Sequence, residues 1–109
     1  MNEIQYVYDL SPDLQDRMRV VAEKERGKII KFTVQYEAFL ANQWCPIVRY
    51  DTAHGFAHRD VMHPNAPAEK QSIVFTDYNQ AFTYAIQDIK HSWEQYRAQY
   101  EGEIKNDAQ

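Results

Sequence analysis

The sequence predicts an α+β fold, an antiparallel sheet of four or five strands covered on one face by one long C-terminal helix. The spacing of the apolar residues predicts it. They alternate with polar residues over much of the first 62 positions and recur every three or four positions over residues 78–100. Such a sheet has one apolar face to bury, and the helix is the only predicted element able to cover it.

The first strands are predicted within residues 4–40. Residues 4–10 (IQYVYDL) are of strand-forming types, and a single turn of helix is expected over residues 11–15. Alternation begins at Asp16, and ERGK (25–28) contains the glycine expected in a tight hairpin turn. The clearest strand follows, in which the apolar residues alternate with polar ones: Ile30, Phe32, Val34, Tyr36 and Ala38.

The remaining strands are less regular. Residues 42–43 (Asn-Gln) are expected to turn the chain into a strand over residues 44–51 (WCPIVRYD). Residues 56–63 (FAHRDVMH) predict a fourth strand or an irregular ribbon. Residues 63–70 (HPNAPAEK), with two prolines and an asparagine, predict a loop.

The helix is predicted from its apolar stripe over residues 78–100, with Thr76 or Asp77 as its N-cap. About 24 residues at 1.5 Å each give a helix of about 36 Å, which is long enough to cross the sheet. We therefore expect one α+β domain over residues 1–100 and a disordered tail over residues 101–109.

Composition excludes several classes of protein. The net charge of −4 argues against a chain held to nucleic acid mainly by its charge. The single Cys45 can form no internal disulfide, which favours a reducing cytoplasm. No signal peptide and no run of about 18 apolar residues is present, so we expect a cytoplasmic protein without a membrane span. No cofactor is expected.

The most unusual segment is RYDTAHGFAHRDVMHP, residues 49–64, because it holds three of the four histidines beside two arginines and two aspartates. Strand parity decides which of these side chains share a face. If Tyr50 faces the helix, then Arg49 and Asp51 face away from it. We expect His58 and Asp60 on that same open face, because the opposite parity would bury an unpaired acid at a cost of several kcal/mol.

One interpretation is acid–base chemistry on RNA without a metal. Histidine exchanges protons near neutral pH, and arginine stabilises charge that develops at phosphorus. The candidate residues are His54, His58 and His63 as acid and base, Asp51 and Asp60 as orienting groups, Arg49 and Arg59 as phosphate ligands, and Tyr50 and Phe56 as stacking surfaces for an unpaired base.

Two other interpretations stay open. His54, His58, His63 and Asp60 are enough ligands for a metal, but Gly55 and the strand-like surroundings argue against the helix that would align them, so no metal is expected. Alternatively, the cluster is structural. Cross-strand Arg and Asp pairs with histidines at turns are common in hairpins.

The segment RYDTAHGFAHRDVMHP, followed by the helix DYNQAFTYAIQDIKHSWEQY, resembles a family of small uncharacterised bacterial proteins with an RYDxAHGFxHRDxxHP signature. A looser resemblance is to the TumE-type toxins of toxin–antitoxin pairs, which carry an RYDNAPHH-like strand end. Here RYDTAH covers residues 49–54, and Gly55 replaces the second histidine of the adjacent pair. This resemblance implies a toxin-like activity.

The sequence thus predicts a toxin-like ribonuclease, with a non-enzymatic interaction or regulatory module as the alternative. RNA or a protein is the expected partner. A homodimer through the open sheet face is also expected, because tyrosine-rich strands are poorly suited to exposure.

Overall fold

A computed structural model describes residues 2–75 and 77–107. These residues form a six-stranded antiparallel sheet, with the strands in chain order, and one long helix. The elements are β1 (Asn2–Asp9), β2 (Asp16–Glu25), β3 (Lys28–Leu40), β4 (Gln43–Asp51), a 3₁₀ turn (Ala53–Gly55), β5 (His58–His63), β6 (Ala66–Ser72) and α1 (Tyr78–Asp107). The predicted α+β architecture is confirmed, and the predicted count of four or five strands is wrong.

The additional strand is β6, which lies largely in the segment predicted to be a loop. It pairs with β5 from His63–Ala66 to His58–Ser72. As an edge strand it tolerates Pro67, because one side of its backbone has no partner that needs the missing N–H. Its side chains are mostly exposed, so the apolar alternation that reveals an internal strand is lacking.

Two hairpin turns join β2 to β3 and β3 to β4. Arg26 and Gly27 both have positive φ, as a two-residue turn of the type that matches strand twist requires. Ala41 and Asn42 repeat this arrangement, so the second turn lies one residue earlier than predicted. The positive φ of Gly27, +79°, explains the glycine that the sequence places there.

The predicted helical turn over residues 11–15 is a tight turn instead. The amide of Leu14 donates to the carbonyl of Ser11 at 3.2 Å. Leu14 has φ +61°, which is incompatible with continuing a right-handed helix.

Helix α1 packs mainly on β3, and to a smaller extent on β4 and β5. Its residues Ala81, Ala85 and Ile89 are buried against the sheet. Aromatic pairs extend the contact, with Phe32 against Phe82 among them at 5.5 Å between ring centres. The apolar stripe predicted for the helix is confirmed, because all nine of its positions belong to the core or pack against it.

The helix is longer than expected. Asp77 caps it, accepting a hydrogen bond from the Gln80 amide at 2.8 Å, whereas Thr76 lies outside the described residues. The helix continues to Asp107, where a disordered tail from residue 101 was expected. Glu103 contacts His63, and Asp107 accepts a bond from Asn65 at 2.7 Å, so the extra turns are fixed to the β5–β6 hairpin. Among residues 77–107 and the other described residues, no helix is both long and apolar enough to cross a membrane.

The sheet therefore has a covered face, beneath α1, and an open face. The core lies on the covered face, where buried residues from β2, β3 and β4 meet the helix. The open face carries rows of mostly polar side chains that run across the strands. One row is Arg19, Gln35, Arg49, Asp60 and Lys70, and the next is Val21, Thr33, Asp51, His58 and Ser72.

Candidate functional site

The pairing of β4 with β5 fixes the centre of the candidate site. Asp51 lies opposite His58, and Arg49 lies opposite Asp60. Because paired residues share a face, all four side chains project from the open face, as the preferred strand parity predicted. That parity prediction is confirmed.

His58 is held firmly although it projects from the open face. Its Nε2 lies 2.8 Å from Oδ1 of Asp51 and 3.9 Å from Oδ2 of Asp60. Its Nδ1 lies 3.4 Å from the carbonyl oxygen of Phe56. The side chain is only 2% exposed. Since the carboxylate of Asp51 can only accept, Nε2 carries the proton in this pair. Because the side chain is buried, neither ring nitrogen of His58 is open to a ligand.

The segment between β4 and β5 folds over His58 and presents a second imidazole to solvent. His54 is exposed, and its ring centre lies 6.3 Å from that of His58. Phe56 packs beside His58 at 5.5 Å and is itself exposed. His54 has φ +71°, a left-handed conformation that a non-glycine residue adopts at a cost of about 1 kcal/mol. Backbone strain of this kind concentrates at functional sites.

Asp60 carries an unsatisfied oxygen. Its Oδ1 is buried and has no hydrogen-bond partner among the residues that the structure describes. Both of its cross-strand neighbours, Arg49 and Lys70, are cations. A buried carboxylate oxygen without a donor destabilises a fold, so this atom is a second feature that packing does not explain.

Arg49 is tethered by one nitrogen only. Its Nε donates to Oε1 of Gln35 at 2.6 Å. Gln35 in turn donates to Glu37, which also accepts from Arg17 at 2.7 Å. The two terminal nitrogens of Arg49 make no hydrogen bond to any residue in the described ranges, so the planar fork that binds phosphate oxygens is available.

A groove runs along the open face beside this cluster. It has a volume of about 380 Å³ and is bordered by Asp51, Thr52 and Ala53 at one end and by Glu3 of β1 at the other. Thr33 and Lys31 line its floor. The groove therefore opens beside the carboxylate that contacts His58.

Tyr50 and Arg59 lie on the covered face, away from this cluster. The Tyr50 and Tyr96 hydroxyls both donate to Oδ2 of Asp88 at 2.5 Å. Arg59 donates to the Tyr96 hydroxyl at 3.1 Å and also to Gln71. Burial, followed by the hydrogen bond to Asp88, raises the pKa of Tyr96 to about 12. Tyr50 has no exposed ring on which a base could stack, and the guanidinium of Arg59 is engaged by Gln71 and Tyr96.

His63 is likewise directed elsewhere. Its Nδ1 lies 2.9 Å from Oε2 of Glu103 near the end of α1, and its Nε2 lies 3.9 Å from Glu69. Of the nine candidate residues, the structure thus joins five on the open face, leaves Phe56 exposed beside them and separates Tyr50, Arg59 and His63 from them. The five are Arg49, Asp51, His54, His58 and Asp60.

The metal interpretation gains no support from this arrangement. Within the ranges 2–75 and 77–107, no group of three or more His, Cys, Asp or Glu side chains is placed to hold a metal ion. His63 faces the helix terminus while His58 is bound to Asp51, so the three histidines do not converge.

Sequence reasoning missed the residues that support the site from neighbouring strands. Gln35 and Glu37 link Arg49 to Arg17, yet they read only as the polar half of an alternating strand. Their parity in β3 was available from the sequence. The register that puts Gln35 opposite Arg49 was not, because it depends on the bulge between Tyr36 and Glu37.

Comparison with known proteins identifies a family but no reaction. A family model described as a domain of unknown function, DUF7718, matches residues 1–106. The chain belongs to this family. No match was found among curated proteins, and none among solved structures. Membership in the family agrees with the expected resemblance to uncharacterised proteins and assigns no activity.

Proposed function

We propose that the open face at residues 49–60 is an acid–base site that cleaves RNA without a metal, as a toxin-like ribonuclease does. The observation that carries the proposal is the placement of the exposed His54 beside the buried pair of His58 and Asp51, on the face that also carries Asp60 and Arg49. The terminal nitrogens of Arg49 have no partner among the described residues. Metal-independent RNA cleavage requires a base and a cation of these kinds.

His54 is the catalytic base in this proposal, because it is the exposed imidazole of the pair. It takes the proton of a ribose 2′-hydroxyl, whose oxygen attacks the adjacent phosphorus. The bond from phosphorus to O5′ breaks, leaving a 2′,3′-cyclic phosphate, and solvent protonates the departing O5′. Arg49 stabilises the charge on the phosphate oxygens through its free nitrogens.

His58 and Asp51 are positioning residues. Their 2.8 Å contact joins the two ends of the segment that carries His54, and the ring of His58 lies beside that of His54. Phe56, exposed on the same segment, offers the surface on which an unpaired base stacks. Tyr50 has no such role, since it is buried beneath the helix.

The resemblance of RYDTAH to the strand end of TumE-type toxins supports the same assignment. Gly55 stands where the second histidine of that pattern occurs, which leaves His54 as the accessible imidazole of this segment.

The test compares His54→Ala with His91→Ala, an exposed histidine on the outer surface of α1. Purified chains are incubated with RNA in the presence of EDTA, and the same chains are induced in a growing bacterial culture. We expect wild type and His91→Ala to cleave RNA to cyclic phosphate ends and to arrest growth. His54→Ala should cleave at least about 100-fold more slowly, the usual loss for a general base. Equal cleavage by His54→Ala, or no cleavage by the wild type, contradicts the proposal.

A second candidate function is a non-enzymatic interaction module, and the burial of His58 in its pair with Asp51 favours it. Both signs of charge on the open face suit a protein partner. A homodimer through the open face was expected because the strands are rich in tyrosine. Tyr36 and Tyr50, however, lie on the covered face and are buried under the helix. Under this function RNA stays intact, His54→Ala behaves as wild type, and Arg49→Glu abolishes the co-purification of a partner without lowering Tm.

A further inference from the structure

The two edges of the sheet differ in how they are protected against pairing with another strand. The β6 edge contains Pro67 and Lys70, and its pairing with β5 is interrupted by a register shift. The β1 edge, residues 2–9, contains no proline, lysine or arginine and pairs with β2 without interruption. Proline, lysine and bulges are the usual means by which proteins block edge-to-edge association.

The side chains of β1 are also unusually exposed for their type. Tyr6, Val7 and Tyr8 are 41%, 51% and 44% exposed. Tyr6 and Tyr8 project from the covered face, but α1 packs mainly on β3 and leaves them open. The Lys90 ammonium group of α1 lies 4.3 Å from the centre of the Tyr8 ring. An apolar strip thus accompanies a free strand edge.

We propose that β1 pairs antiparallel with β1 of a second copy of this chain, which makes one continuous sheet across a two-fold axis. Among the described residues no strand occupies the outer side of β1, so its backbone groups are available. This inference is independent of the proposed function, since it uses neither His54 nor its neighbours.

Charge and parity restrict the register, and of the registers they allow the one centred on Gln5 pairs the most residues of β1. In a two-fold antiparallel pair the opposed residues share a face, so their numbers sum to an even value. A pair centred on Tyr6 would place Glu3 opposite Asp9 of the other copy, and like charges in that position are destabilising. A pair centred on Gln5 instead sets Ile4 opposite Tyr6 and Glu3 opposite Val7.

The self-complementarity of this register argues for a second copy as the occupant. It covers Ile4 and Tyr6 with each other on the helix side, and no charged residue meets a like charge. The groove beside Asp51 ends at Glu3 of β1, so the pairing would also join the open faces of the two copies into one surface.

The experiment measures the mass of the full chain in solution by sedimentation equilibrium over a range of concentrations. The wild type should form a dimer. Gln5→Lys and Gln5→Glu each place two like charges opposite one another, and each should weaken the dimer about tenfold or more. An equimolar mixture of the two variants should restore it. Ala68→Lys, an exposed position on the β6 edge, is the matched control and should dimerise as the wild type does.

Several outcomes overturn the inference. The inference is wrong if the wild type stays monomeric at its highest soluble concentration. It is also wrong if Gln5→Lys leaves the dimer intact or if Ala68→Lys disrupts it. Failure of the mixed variants to associate rejects the register centred on Gln5. Circular dichroism of each variant shows that loss of the dimer is not loss of the fold.

Discussion

On β4 and β5, an arginine on the covered face and an arginine on the open face differ in how many hydrogen bonds they make. Arg59, on the covered face, bonds to Gln71 and to the hydroxyls of Tyr50 and Tyr96. Arg49, on the open face, makes hydrogen bonds through Nε alone within the part of the chain that the structure describes. Both belong to the one cluster of titratable residues that the sequence displays. The difference shows that half of this cluster attaches the helix to the sheet, while the other half retains groups that packing does not use.

The polar contacts beneath the helix are well satisfied. Arg97 reaches the buried carboxylate of Asp16 with two short contacts, and the hydroxyl of Tyr36 donates to the same carboxylate. On the open face, by contrast, Oδ1 of Asp60 is buried without a donor among the residues that the structure describes. A fold rarely retains a buried unpaired oxygen without a use for it, which is why we place the site on the open face.

The largest effect is expected from Arg97→Ala. It leaves the buried carboxylate of Asp16 without its cation, and breaking a buried pair in this way should lower the free energy of unfolding by about 3 kcal/mol. Urea denaturation measures the loss. Lys105→Ala, an exposed change on the same helix, is the control and should alter stability little. An unfolding curve of Arg97→Ala that overlays the wild type would contradict the structural role of the covered face.

A smaller effect is expected from Arg59→Met, with Arg49→Met as its counterpart on the open face. Arg59→Met removes charged hydrogen bonds to Gln71 and two tyrosines, which should cost about 2 kcal/mol of unfolding free energy. Arg49→Met loses one hydrogen bond, to Gln35, and should cost about 1 kcal/mol or less while reducing RNA cleavage. The comparison fails if the two variants are equally destabilised or if cleavage follows Arg59 instead.

Alkaline pH should destabilise the contacts between the helix and the covered face of the sheet. Burial, then hydrogen bonding to Asp88, raises the pKa of both Tyr50 and Tyr96, the latter to about 12 from an ordinary value of 10.0. A raised pKa means that the folded chain keeps protons that the unfolded chain releases. The resulting stabilisation is complete below pH 10 and is lost as pH rises toward 12.

Thermal unfolding measured from pH 8 to pH 11.5 checks this expectation. Tm of the wild type should fall steeply above pH 10, whereas Tyr50→Phe with Tyr96→Phe should start lower and fall less. Parallel curves for the two proteins would show that these hydroxyls do not control the alkaline response.

Strand parity made much of the candidate site predictable. The alternation that placed Val48 and Tyr50 beneath the helix also placed Asp51 and His58 on the open face. By the same rule Arg59 belongs to the covered face, so its exclusion from the site was available from the sequence. The same parity assigns His63 to the side of Arg59. Its partner could not be predicted, because the contact depends on the helix extending far enough to bring Glu103 beside it.

The missed strand and the helix end have a common physical cause. β6 is stabilised by backbone pairing with β5 rather than by apolar burial, so its composition is that of a loop. Residues 101–107 lack an apolar stripe as regular as that of residues 78–100, and their polar contacts to His63 and Asn65 exist only in the folded chain. A pattern of hydrophobic residues therefore predicts neither the backbone pairing of β6 nor the polar contacts of the helix end.

The most direct test of the division between the two faces measures RNA cleavage per folded molecule and Tm together, for His54→Ala and for Arg59→Met. We expect that His54→Ala loses cleavage with its Tm unchanged, and that Arg59→Met loses several degrees of Tm while each folded molecule still cleaves. The reverse pattern, in which His54→Ala cleaves normally and Arg59→Met abolishes cleavage without a change in Tm, would place the function on the covered face and contradict the account.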